Sequence, residues 1–124
     1  MLGLSSLLAN PVNAIVGLEV KIPVTARTAT SLGANRRGSG IVIDDEGRVV
    51  TIGYLILEAS KVSLVDVDGK TVPATVIGYD GDTGFGIVQA LTPLRAAPVA
   101  LGHSTQLKVG SQLQVVSREI DSVF

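Results

Sequence analysis

Short runs rich in Val and Ile, each of strand length and cut off from the next by Gly, Asp or Pro, fill this chain from Ala14 onward. β-Branched side chains are stiff about χ1 and suit a pleated, half-buried surface. Runs this short do not sustain ordinary helices, so the pattern predicts an all-β domain. Candidate strands fall at about 14–22, 39–44, 48–52, 61–67, 70–79, 85–90, 97–101 and 112–118. Two hairpins are expected. Asp45-Glu46-Gly47 separates GIVID from RVVTI, with a glycine where a three-residue loop needs positive φ, and Asp68-Gly69 separates KVSLVDV from KTVPATVIG.

Between the first two strands, the Thr-, Ala-, Ser- and Gly-rich stretch from Val24 to Arg37 reads as a long surface loop, with Arg36 and Arg37 at its tip. Tyr54–Ser60 reads as one turn of helix between strands. Pro73, lacking an N–H, points to an edge or bulge position within its strand.

The chain has 124 residues, the size of one domain. We expect an N-terminal arm at 1–12 and a single β domain at 13–124. Apolar residues make up 46% and aromatics only 3%, so Val, Ile, Leu and Ala must fill the core. Ten basic residues against eleven acidic ones leave a formal charge of -1 with no concentration of either sign, which argues against nucleic acid as a partner. With no cysteine there is no disulfide, thiol nucleophile or thiolate metal site. The first 18 residues carry no charged side chain. Asn10, Pro11 and Asn13 would interrupt a spanning helix there, and no Lys or Arg precedes the apolar stretch as a secretion signal requires. No membrane span is expected.

Few residues are candidates for chemistry. His103, the one histidine, adjoins Ser104. Adjacent side chains on a strand or turn point apart and nothing is placed to orient the imidazole, so an exposed loop histidine is the expectation. One histidine and no cysteine leave no metal site of the usual kind. Asp80 and Asp82 in YDGDTG lack the rest of a calcium-loop pattern and read as turn formers. Gly69-Lys70-Thr71 ends like a phosphate-binding loop, but Leu64 stands where its first glycine belongs and strands flank it. Arg36 and Arg37 are too few for a nucleic-acid patch and are expected as a solvated loop tip, at most touching an anionic partner. No cofactor is implied.

Several segments, in order and at their separations, carry a resemblance. Arg37-Gly38-Ser39-Gly40-Ile41-Val42-Ile43-Asp44 is followed by Gly47 to Thr51, by the strand, Asp-Gly turn and strand of Val65 to Val76, by Gly78-Tyr79-Asp80 through Val88, and by Pro98-Val99-Ala100-Leu101-Gly102 through Leu107-Lys108-Val109-Gly110. From about residue 14 to residue 118 the chain resembles the N-terminal half of the protease domain of the HtrA/Deg family of trypsin-like serine proteases. The resemblance implies a six-stranded antiparallel Greek-key barrel, the first of the two barrels of that fold, and an extracytoplasmic, periplasmic setting.

The same resemblance implies that catalytic groups are missing. The family's catalytic His follows the segment matched by Thr51, and here Thr51-Ile52-Gly53 leads to Tyr54. A phenol holds its proton at neutral pH and cannot take one from serine as an imidazole does. The family's Thr-Asp-Leu-Ala becomes Thr83-Gly84-Phe85-Gly86, so Gly84 stands in place of the Asp that orients the base. With His103 the only histidine, no shift of register restores an imidazole. The nucleophilic serine and the oxyanion donors belong to the second barrel, absent from these 124 residues.

The expectation is therefore a pseudoprotease module that binds or scaffolds protein or peptide; the alternative is a part of a serine endopeptidase assembly whose active residues lie elsewhere. The apolar face of a lone barrel is expected either to meet a second barrel in a polypeptide continuing past Phe124 or to drive self-association. Addition of an extended peptide to an exposed strand edge is a third possibility.

Overall fold

The computed structural model describes residues 11–27 and 33–118. The arm expected at 1–12 falls mostly outside them. Six strands make the barrel: β1 (Ile15–Lys21), β2 (Asn35–Val42), β3 (Arg48–Ile52), β4 (Lys61–Val65), β5 (Thr71–Tyr79) and β6 (Phe85–Ala90). A 3-10 turn at Pro11–Ala14 leads into β1. Every pairing is antiparallel, and the order β1-β2-β3-β6-β5-β4 closes because β1 pairs with both β2 and β4. This is an all-β, closed six-stranded antiparallel barrel, the architecture that the resemblance implies.

Alternation along the strands fills the interior. Val16, Leu18 and Val20 of β1, Val49 of β3, Leu64 of β4, Val72 of β5 and Val88 of β6 are all within 1% of complete burial. At roughly 1.5–3 kcal/mol for each large aliphatic side chain, this core is the main stabilising contribution. Gly40 shows how tightly it is packed: a Cβ there would lie 2.8 Å from Leu18 Cδ1 and closer still to Val49.

Both hairpin glycines take the positive φ their turns need, +80° at Gly47 and +83° at Gly69. The second turn is wider than a two-residue hairpin. Asp66, 2% exposed, accepts from the backbone N–H groups of Asp68 (3.0 Å) and Lys70 (2.9 Å), so its carboxylate organises the loop from within. Pro73 faces Ser63 in the β4–β5 ladder. Its carbonyl accepts from Leu91 N–H at 2.9 Å, one residue beyond the end of β6, so the missing N–H falls on the side where the β5–β6 ladder has already ended. The bulge in β5 lies further on, between Val76 and Gly78.

Three expectations are corrected. β2 starts at Asn35, because residues 35–37 pair with Lys21, Val20 and Glu19 of β1, opposing Arg37 to Glu19. Arg36 and Arg37 are therefore strand residues and no loop tip; Arg36 is 4% exposed. Residues 97–101 and 112–118 form no strands. Both edges of β1 are taken and the barrel is closed, so it has no complete edge for a seventh strand. Past β6 the chain runs back over the barrel instead, with Ala97 N–H donating to Asn13 (2.8 Å) and Val99 N–H to Val42 (3.0 Å).

Candidate functional site

The positions that matter by resemblance meet at one rim of the barrel. After β3, Gly53–Leu55 makes a single 3-10 turn, closed by Ile56 N–H donating to the Gly53 carbonyl at 3.0 Å. Leu55 and Ile56, 2% and 4% exposed, drop into the barrel and plug this end. Tyr54 between them and β3 stays outside, 45% exposed. The expected single turn of helix at Tyr54–Ser60 is thus a 3-10 turn that starts at Gly53, followed by Glu58 at φ 60°.

The neighbouring β5–β6 turn carries Gly84. Asp80 Oδ1 accepts from Asp82 N–H at 3.0 Å, Oδ2 accepts from the Thr83 hydroxyl at 3.0 Å, and Gly84 N–H donates to the Asp80 carbonyl at 2.8 Å. The Asp82 N–H, followed by the Thr83 hydroxyl, holds the Asp80 carboxyl below its ordinary pKa. Both carboxylate oxygens are engaged in shaping the turn, as expected of a turn former. Gly84 has φ +80°, a region L side chains rarely adopt, although no atom lies within 4 Å of its Cβ direction. An aspartate introduced there would have room and a backbone strain of about 1 kcal/mol.

A hydrogen bond from Gly53 N–H to the Gly84 carbonyl, 2.6 Å, ties the two segments together. The structure thus brings Tyr54 and Gly84 onto adjoining pieces of backbone. The Tyr79 ring lies against Gly53, where a Cβ would collide with it. Ile52 pairs with Phe85 across β3 and β6. Tyr54, Tyr79 and Phe85, the aromatic residues among the described ones, therefore share this rim, each between 45% and 57% exposed.

Sequence reasoning missed what holds the rim in place. The buried Arg36 guanidinium donates from Nη1 to the Tyr54 carbonyl (2.7 Å) and the Leu57 carbonyl (3.1 Å), and from Nε to Gly33 (3.1 Å). A signal was present: Arg36, Gly38, Gly40 and Val42 alternate along one strand, and the glycines and valine face inward. Gly38 lies beneath Leu55, with Leu55 Cγ 3.4 Å from where a Cβ would stand.

The other candidates stay apart from the rim. His103 and Ser104 are exposed at the start of a 3-10 turn, Ser104–Gln106, and neither side chain makes a hydrogen bond among the described residues. Lys70 sits in the β4–β5 turn with its N–H on Asp66, and the flanking strands leave no phosphate loop. Among the described residues, no three His, Cys, Asp or Glu groups gather as metal ligands.

Residues 38–122 match the family model for the trypsin-like peptidase domain. The chain belongs to that family. Its relatives place this trypsin-like barrel in the HtrA/Deg branch. It is 29% identical over 122 residues to a serine protease HtrA-like protein of Staphylococcus haemolyticus, covering 91% of this chain and 19% of that protein. It is 32% identical over 74 residues to the periplasmic pH-dependent serine endoprotease DegQ of Escherichia coli, covering 59% of this chain and 16% of the relative. A solved structure of an HtrA-type protease with a tripeptide superposes with a TM-score of 0.67 at 16% identity over 84% of this chain and 31% of its own, a likeness of fold. The 124 residues thus span less than a fifth of these curated relatives' length.

Proposed function

We propose that this barrel is an HtrA/Deg-like pseudoprotease module, which binds protein or peptide at the rim around Gly53 and does not hydrolyse it. The observation that carries the reading is the junction of Gly53 with Gly84: the two segments that in a protease of this family bring base and orienter together are joined here, and they present a phenol and a glycine. The one imidazole of these 124 residues, His103, lies on a separate exposed turn. The exposed Ile52, Tyr54, Tyr79 and Phe85 give the rim the apolar, aromatic character that dominates protein-binding surfaces. The expected partner is a protein or peptide, either a further barrel or a second copy of this chain. The naming of relatives as periplasmic supports an extracytoplasmic setting.

A second reading, a barrel serving a serine endopeptidase whose reacting groups lie elsewhere, draws support from the small share of each relative that the chain spans. One titration separates them. Reduced, carboxymethylated α-lactalbumin added to the isotopically labelled protein should move the amide resonances of residues 52–54, 79 and 84–85 while the added chain stays intact by mass. Cleavage of the added chain, or shifts confined to other residues, would refute the proposal.

A further inference from the structure

The closed barrel opens at one corner. The β4–β5 ladder ends at Val62 and Ala74, whereas β6 follows β5 on to Tyr79, so that beyond Ala74 β5 is paired with β6 alone. Pro73 gives its carbonyl to Leu91 on the β6 side, and the alternation of an antiparallel strand then turns the main-chain N–H and C=O of Ala74 and Val76 toward β4. Val62 meets Ala74 there. Ser60 would meet Val76 in the same register, but its N–H and its Oγ both donate to the Lys21 carbonyl instead, at 2.9 and 3.0 Å. A slot of about 280 Å³ results, with Ala59, Val62, Ala74 and Val76 along it and Ser60 and Lys61 at its lip. Val76 shares the inward phase of the fully buried Val72, yet it is 39% exposed, because the slot is open to water.

Two cations stand beside the slot. Lys61 faces Lys21 directly across β4 and β1, both residues are exposed, and neither ammonium has an ion pair or hydrogen bond among the described residues. Like charges set opposite one another in a ladder cost stability, and an anion placed between them removes that cost. The acid of β1 does not serve them: Glu19 lies opposite Arg37 and pairs with it at 3.8 Å. We propose that this corner binds an extended acidic peptide. Its main chain pairs with Val76 and an apolar side chain enters the slot. The carboxylates on either side of that residue, which point the other way along a strand, meet Lys21 and Lys61. Charge selects acidic segments over basic or neutral ones. The apolar side of the barrel lies elsewhere. In the closed order, β1 and β4 stand across from β6 and β3, whose Phe85, Val50 and Ile52 line an apolar groove, so the inference does not require that side to be bare.

The slot shares no residue with the rim around Gly53, so this inference and the rim reading stand or fall separately. The probe is a short peptide alternating glutamate and valine, blocked at both ends and titrated into the isotopically labelled 124-residue chain, with the glutamine–valine analogue as its uncharged control. The acidic peptide should move the amide resonances of residues 60–62 and 74–77, with a dissociation constant of about 0.1–1 mM, as suits so small a contact. The analogue should bind at least about fivefold more weakly. Lys61→Gln should lower the affinity for the acidic peptide about two- to fivefold, the range of one exposed ion pair, with a melting temperature unchanged or raised. In the double variant Lys21→Gln, Lys61→Gln the two peptides should bind alike. Lys108→Gln, at an exposed lysine that does not line the slot, should change nothing. Equal binding of the two peptides to the unaltered chain, a glutamate preference that survives the double variant, shifts confined to residues 52–54, 79 and 84–85, or the same shifts from sodium sulfate at equal charge would overturn the proposal.

Discussion

Replacing Arg36 by Met removes the buried cation beneath the 3-10 turn and leaves a side chain of similar length to fill the space. The hydrogen bonds to the carbonyls of Tyr54, Leu57 and Gly33 disappear. A bond to a charged donor is worth about 1.5–3 kcal/mol, and a buried carbonyl left without a donor costs about 1–3 kcal/mol. Relaxation of the turn toward water recovers part of this, and a net loss of about 2–4 kcal/mol is expected. For a domain of this size that lowers the melting temperature by roughly 8–20 °C. Urea denaturation should show the lower midpoint, and hydrogen exchange should show faster opening at residues 53–57 than in the β1–β4 pairing. Arg36→Lys keeps the charge but not the fork of donors, and should restore less than half of the loss. Arg37→Ala, beside it but exposed and paired to Glu19 at 3.8 Å, should cost under about 1 kcal/mol. A loss below about 1 kcal/mol for Arg36→Met, or equal losses at positions 36 and 37, would refute the claim that a buried guanidinium holds the rim.

Two further outcomes follow from the same geometry. Gly40→Ala should destabilise by about 1–3 kcal/mol in urea denaturation, because its Cβ would press on Leu18 and Val49 inside a filled barrel; an unchanged midpoint would mean that the interior is loosely packed. Asp80 is held below its ordinary pKa of 3.8, so its contribution is fully present above that value and is lost as pH falls through the lower folded value. A carboxyl titration by nuclear magnetic resonance should give Asp80 a midpoint below 3.8, with the Asp82 and Gly84 amides moving together with it; a midpoint at or above 3.8 would contradict the turn described.

Much of the fold was legible because it rests on local chemistry. Alternating Val and Ile gave the six barrel strands, and Gly47 and Gly69 marked turns that need positive φ. The errors arose where partners far along the chain decide. Arg36 followed a loop-like stretch and carries a charge, yet its alternation with Gly38 and Gly40 outweighed both signals once three carbonyls were within its reach. Residues 112–118 alternate as a strand should, but strand formation needs a free edge, and barrel closure between β1 and β4 has no local signature. The meeting of Tyr54 with Gly84 was accessible through family resemblance alone, since the Gly53 to Gly84 hydrogen bond joins residues whose types announce no chemistry.

The central claim is that the segments meeting at Gly53 and Gly84 no longer serve hydrolysis. It is tested most directly by treating the polypeptide purified from its native source with a fluorophosphonate that labels activated serines, in parallel with an HtrA-type protease as the positive control. The account predicts no covalent adduct by intact mass on the polypeptide that contains this barrel, under conditions where the control is labelled stoichiometrically. A stoichiometric adduct on that polypeptide, lost on denaturation before treatment, would contradict it, because an activated serine would then be working with a base that neither Tyr54 nor His103 supplies.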